Sequence, residues 1–153
     1  MEIAKNIKYI GVDDMDIDLF EGQYRVPEGI SYNSYLIDDE KIAVMDTVDA
    51  RRTEQWLSNL EAALAGHTPD YLIIHHMEPD HASNVRLLLE KYPACKGVCT
   101  QKAAVMVKRF FDVDFTDRLQ LVKEGDTLSL GEHTLTFIMA PMIRWPEVMM
   151  SYE

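Results

Sequence analysis

The stretch Tyr71-Leu72-Ile73-Ile74-His75-His76-Met77-Glu78-Pro79-Asp80-His81 gathers three histidines, a glutamate and an aspartate. It lies just past a compact apolar run and just ahead of a helical pattern. In an extended segment side chains alternate with period two, so His76 and Glu78 face the same side. Pro79 stops the strand and helps turn the chain, and Asp80 and His81 then face back from the start of the helix. His76, Glu78, Asp80 and His81 therefore form the candidate metal-ligand set. Imidazole suits zinc, iron and copper alike, whereas two carboxylates shift the preference toward harder, higher-coordinate ions. Two pairs, His76 with Glu78 and Asp80 with His81, suit two adjacent metals better than one. The plain alternative is a helix-capping Asp80 beside packed or solvated histidines. That reading would win for one histidine, but not for so many donors in one strand-to-helix loop.

Other reactive side chains are read more plainly. His75 points opposite to His76, toward packing, and is expected to support the site or fill the core. His67 and His133 fall in turn-rich segments and are expected to be exposed, without a role. Cys95 and Cys99 are four residues apart, which is neither a zinc-knuckle nor a redox CxxC spacing, and Cys99 reads as a small buried hydrophobe. No Ser/His/Asp nucleophile arrangement stands out.

The elements that must hold the loop follow from periodicity. Strands are expected at Ile7–Val12, Asp18–Val26, and in a hairpin of Ile30–Ile37 with Lys41–Met45. A helix spans about Ala50–Ala65, with Trp56, Leu57, Leu60 and Leu64 as its apolar stripe and Gly66 closing it. The strand Tyr71–Ile74 leads into the loop, and a helix over Ser83–Tyr92 leaves it. A short strand at Gly97–Cys99 precedes a helix over Gln101–Phe111, capped by Thr100 and buried through Ala103, Val107 and Phe110. Strands Leu119–Val122, Thr127–Leu130 and Thr134–Met139 follow, with Leu128, Leu130, Leu135 and Phe137 facing inward. The pattern predicts an α/β fold: a mixed sheet with helices on one side and its second face uncovered.

The 153 residues suit one domain. A formal net charge of −11 makes nucleic-acid and membrane-surface roles poor expectations. The start of the chain lacks the apolar stretch of a signal peptide, so a cytoplasmic location is expected.

The run His76-x-Glu78-x-Asp80-His81 resembles the HxExDH motif of flavodiiron proteins, a variant of the metallo-β-lactamase HxHxDH motif. Ser31-Tyr32-Asn33-Ser34-Tyr35, Leu72-Ile73-Ile74 and Ala140-Pro141-Met142-Ile143-Arg144-Trp145-Pro146 resemble the same family, so the likeness spans the chain. It implies the N-terminal half of an αββα metallo-β-lactamase-like sandwich, a partial domain over residues 1–153. It also implies a di-iron oxidoreductase lineage that reduces dioxygen to water or nitric oxide to nitrous oxide. His76 and Glu78 would bind one iron, and Asp80 and His81 the other. Electrons would come from FMN in a flavodoxin-like domain, which these residues do not include. By the same resemblance Asp46 is a carboxylate that orients ligating histidines, although a turn explains it equally well.

Arg144 departs from the pattern, for the resemblance implies histidine there. A guanidinium stays protonated and offers no lone pair. Arg144 is expected to pair with Glu78 or Asp80, leaving iron bound weakly or not at all. The alternative turns Arg144 to solvent and leaves one metal on the four donors. Trp145 shields the site or, on the better reading, fills the core. The implied bridging aspartate and last histidine are also absent, so a homo-oligomer or a partner supplying the rest of the fold is expected, with a separate redox donor. Two rivals are a non-catalytic subunit and a zinc hydrolase of the same fold, the latter disfavoured by Glu78.

Overall fold

The computed structural model covers residues 1–153. Its strands are β1 (Glu2–Ala4), β2 (Ile7–Tyr9), β3 (Val12–Asp14), β4 (Leu19–Phe20), β5 (Tyr24–Arg25), β6 (Ile30–Tyr32) and β7 (Tyr35–Ile37). They continue with β8 (Ala43–Met45), β9 (Tyr71–Ile73), β10 (Lys96–Cys99), β11 (Leu119–Leu121), β12 (Thr127–Ser129), β13 (Thr134–Met139) and β14 (Met149–Tyr152). The α-helices are α1 (Thr53–Leu64), α2 (Pro79–Ala82), α3 (Val85–Lys91) and α4 (Gln101–Phe111).

A seven-stranded sheet runs β1-β2-β7-β8-β9-β10-β11 and is mixed: β8 to β11 are parallel, and the other pairs are antiparallel. Neighbouring residues in its central strands point to opposite faces, as a pleated strand requires. Leu36, Val44 and Leu72 face the helices and pack with Trp56 and Leu60 of α1, Leu88 and Leu89 of α3, and Val107 of α4. Ile37, Ala43, Ile73 and Val98 face the other way.

That second face is covered, contrary to the sequence-based expectation. Strands β12, β13 and β14 form a separate antiparallel sheet. Its Leu128, Leu135, Phe137 and Met149, together with Leu130, close a second core against the larger sheet. The predicted inward alternation is present; the cover it provides was not foreseen. The order is helices, sheet, sheet.

Several boundaries move for local reasons. The single strand expected at Asp18–Val26 is a tight hairpin of β4 and β5, turned by Glu21 and Gly22 with φ of 53° and 68°. The helix expected from Ala50 opens as a 3-10 turn, Ala50–Arg52, and α1 ends on Ala65 in the left-handed conformation. Thr100 does cap α4, its side chain accepting the Ala103 N–H. Phe110, expected in the core, is 52% exposed, because the α4 face meets the sheet through Ala103 and Val107 instead.

Three connections leave the carboxyl ends of the parallel strands β8, β9 and β10, at Asp46, Ile74 and Thr100. In open α/β sheets this edge is where ligands are held.

Candidate metal centre

Residues Ile74 to Glu78 run from β9 to α2, and Pro79 takes the first position of that helix, where its missing N–H has no partner to lose. Glu78 and Asp80 are buried, whereas the side chains of His76 and His81 retain 20% and 18% exposure. The predicted ligands converge. His76 Nδ1 is 3.8 Å from Glu78 Oε2, His81 Nε2 is 3.5 Å from Asp80 Oδ2, and the two imidazoles lie 5.0 Å apart, centroid to centroid. Two donor groups result, His76 with Glu78 and Asp80, and His76 with His81 and Asp46; within each, the ligand atoms lie within 4.8 Å of one another.

Asp46 stands on the loop with φ 56°, a left-handed conformation that aspartate tolerates better than most residues. It does not bond to either candidate ligand but holds His75. Its Oδ1 accepts the His75 backbone N–H at 2.9 Å, and its Oδ2 lies 2.9 Å from His75 Nδ1. On the far side of the ring, His75 Nε2 is 2.7 Å from Ser151 Oγ. An Asp–His–Ser chain therefore exists where the sequence pointed to none, because Ser151 is 76 residues away and comes in on the second sheet. His75 is thus held between Asp46 and Ser151 and belongs to neither donor group.

The loop is anchored elsewhere too. The Thr47 N–H and hydroxyl both donate to the His81 carbonyl, at 2.9 and 2.8 Å. The Met149 N–H donates to the His75 carbonyl at 2.9 Å, and the Met77 N–H to Glu147 Oε1 at 2.7 Å. Glu147, 2% exposed, went unnoticed in the sequence.

Arg144 takes the expected ion pair and a second one. Its Nη2 donates to Glu78 Oε1 at 2.9 Å and to Glu21 Oε1 at 3.2 Å. The turn presenting it has φ of 67° at Met142 and 70° at Arg144 and is closed by the Met142 N–H on the Trp145 carbonyl at 3.0 Å. Trp145 is partly buried against the main core and also lines the cleft beside Glu78 and Asp80. His133 departs from expectation: it is buried, with Nδ1 2.6 Å from Glu153 Oε1. His67 is exposed as expected.

The electrostatics bear on what the donors can hold. Burial, a hydrogen bond with Glu21 and the nearby Asp80 raise Glu78 to about 7, against the pull of Arg144. Burial also raises Asp80, opposed by His81, His76 and Arg144. Burial lowers His76, keeping its imidazole available as a ligand. Burial would raise Asp46, but the charge and hydrogen bonds of His75 outweigh it and hold the carboxyl below its usual value. Asp80 Oδ1 and His81 Nδ1 are buried with no hydrogen-bond partner. Orphaned buried polar atoms are costly and rare, and a bound cation is one way to satisfy them.

The family model described as "ODP family beta lactamase" matches residues 30–153. The chain belongs to the ODP beta-lactamase family. Its relatives are flavodiiron proteins. An anaerobic nitric oxide reductase flavorubredoxin of Aliivibrio salmonicida is 36% identical over 99% of this chain and 31% of its own length. A nitric oxide reductase of Moorella thermoacetica is also 36% identical, over 98% of this chain and 38% of its own. The rubredoxin oxygen:oxidoreductase of Desulfovibrio gigas superposes with a TM-score of 0.92 at 33% identity, over 99% of this chain and 38% of that one. This ODP-family chain thus spans about a third of the length of the curated relatives it matches. No helix in it is long and apolar enough to cross a membrane.

Proposed function

We infer that this chain carries the ligand loop of a metal-dependent reductase of the flavodiiron lineage, acting on dioxygen or nitric oxide. The observation that carries the reading is the convergence of His76, Glu78, Asp80 and His81 around two buried, unpartnered donor atoms, Asp80 Oδ1 and His81 Nδ1. The names of its relatives, nitric oxide reductase and rubredoxin oxygen:oxidoreductase, supply the chemistry.

The residues fit a metal in donor type and in unmet valence. His76 and His81 offer nitrogen, and Asp80, Glu78 and Asp46 offer carboxylate oxygen, a set that suits iron. Bound there, iron would supply redox chemistry and open coordination positions for a small gas. The chain's own residues orient and shield. Asp46 and Ser151 hold His75, Thr47 holds the His81 carbonyl, and Trp145 with Phe20 walls the cleft at Glu78. Ligands beyond these five, a flavin and an electron donor of rubredoxin type belong, on this reading, to residues or partners outside the chain. Alone it holds metal without turning over.

The hydrolase alternative is tested directly. Zinc-loaded chain is expected to leave a chromogenic β-lactam and a thioester intact, while iron-loaded chain binds nitric oxide with a new visible absorption. Hydrolysis with zinc and no nitric oxide signal with iron would overturn the reductase reading.

A further inference from the structure

The two donor groups share His76 but differ in what already faces them. Glu78, in one group, is met by a permanent cation. Arg144 Nη2 sits 2.9 Å from Oε1, and a guanidinium cannot release its proton at any ordinary pH. The contact is built into the chain. Glu21, on the turn between β4 and β5, holds the same nitrogen from the other side, and the left-handed Met142 and Arg144 shape the turn that delivers it. In the other group, Asp46, His76 and His81 meet no arginine or lysine. The orphaned His81 Nδ1 belongs to a residue of this group, whereas the orphaned Asp80 Oδ1 belongs to the group that holds Glu78.

Resting on the metal-site reading above, we propose that Arg144 makes this a one-metal site. Its guanidinium stands as the positive charge on Glu78, and one divalent cation is held on the His76–His81 side, with Asp46 as the available carboxylate. Two imidazoles and a carboxylate are a sufficient set for one first-row ion with open positions. A second ion on Glu78 would have to displace Arg144 or accept a like charge a few ångströms away, which is repulsive at any effective dielectric of a protein site. Arg144 is therefore a specificity residue: it sets how many metals the loop takes.

The test is anaerobic titration of chelator-stripped full chain with cobalt(II), read by visible absorption and by metal counted after gel filtration. Wild type is expected to saturate at one equivalent. Arg144→Ala is expected to take a second, with the second site tightened by about tenfold or more. Arg144→Gln repeats the measurement with a polar, uncharged side chain, so a folding defect in one variant does not decide the outcome. Two equivalents in wild type, or no added equivalent in either variant, would overturn the proposal while leaving the metal-site reading intact. No cobalt bound by any of the three would overturn both.

Discussion

Asp46 grips His75 twice, through its backbone N–H and its ring, both at 2.9 Å. Because His75 directly precedes His76, this contact fixes where the loop of candidate ligands leaves β9. The second grip, from Ser151 on β14, ties the loop to the other sheet. The loop is thereby held between elements that come together only when the two sheets pack.

Asp46→Ala removes both acceptors from a partly buried N–H and imidazole. Hydrogen bonds to charged groups contribute about 1.5–3 kcal/mol, so urea unfolding should lose roughly 2 kcal/mol of stability. Ser151→Ala should lose less, about 1 kcal/mol. Equal stability of Asp46→Ala and wild type would mean that the grip is incidental.

Acid sensitivity should trace to Asp14, which is fully buried where Arg51, Arg52 and Tyr32 meet. Burial pushes its carboxyl up, but hydrogen bonds from Arg52, Arg51, the Asp16 amide and Tyr32 outweigh it and hold the pKa at about 2. A depressed carboxylate stabilises the fold above its unfolded pKa, near 3.8, and that contribution disappears as pH falls toward about 2. It amounts to about 2 kcal/mol. Asp14→Asn should be less stable at neutral pH and should show a shallower loss between about pH 4 and pH 2. Parallel acid-unfolding curves for the two proteins would contradict this.

Cys95 and Cys99 are free, buried, and pushed up to about 12, chiefly by burial. Thiolate is the reactive form, so the native chain should give no colour with a disulfide reagent at neutral pH and two thiols per chain in denaturant. Rapid labelling of folded protein would mean that these strands open readily.

Trp56 is fully buried under the sheet, and its indole N–H donates to Ser34 Oγ at 3.1 Å. Ser34 in turn donates to the Asp46 carbonyl at 3.0 Å, so this core residue reaches the site loop. Trp56→Ala should cost about 3–5 kcal/mol. Trp56→Phe should cost less, yet still leave Ser34 short of a donor. Thermal unfolding of both variants checks the order.

What the sequence made legible was local. His76, Glu78, Asp80 and His81 lie within six residues, so strand alternation and one proline suffice to predict that they converge. Helix faces such as Trp56, Leu60 and Leu64 repeat at helical spacing and proved buried. Contacts made across the fold were not legible. Ser151 and Glu147 reach the loop from about seventy residues away. Glu21 meets Arg144 only because the three-residue turn between β4 and β5 brings it there. The covering sheet escaped notice for a similar reason: Leu128, Leu135 and Phe137 signal burial, but their pattern does not say against what. Phe110 shows the converse error, for periodicity put it on a buried face that the neighbouring sheet does not reach.

The most direct test of the central claim is the iron and zinc content per chain after purification without oxygen, for wild type and His81→Ala. The account predicts about one iron per wild-type chain, lost in the variant. Wild-type protein free of metal, or a variant that keeps its iron, would contradict it.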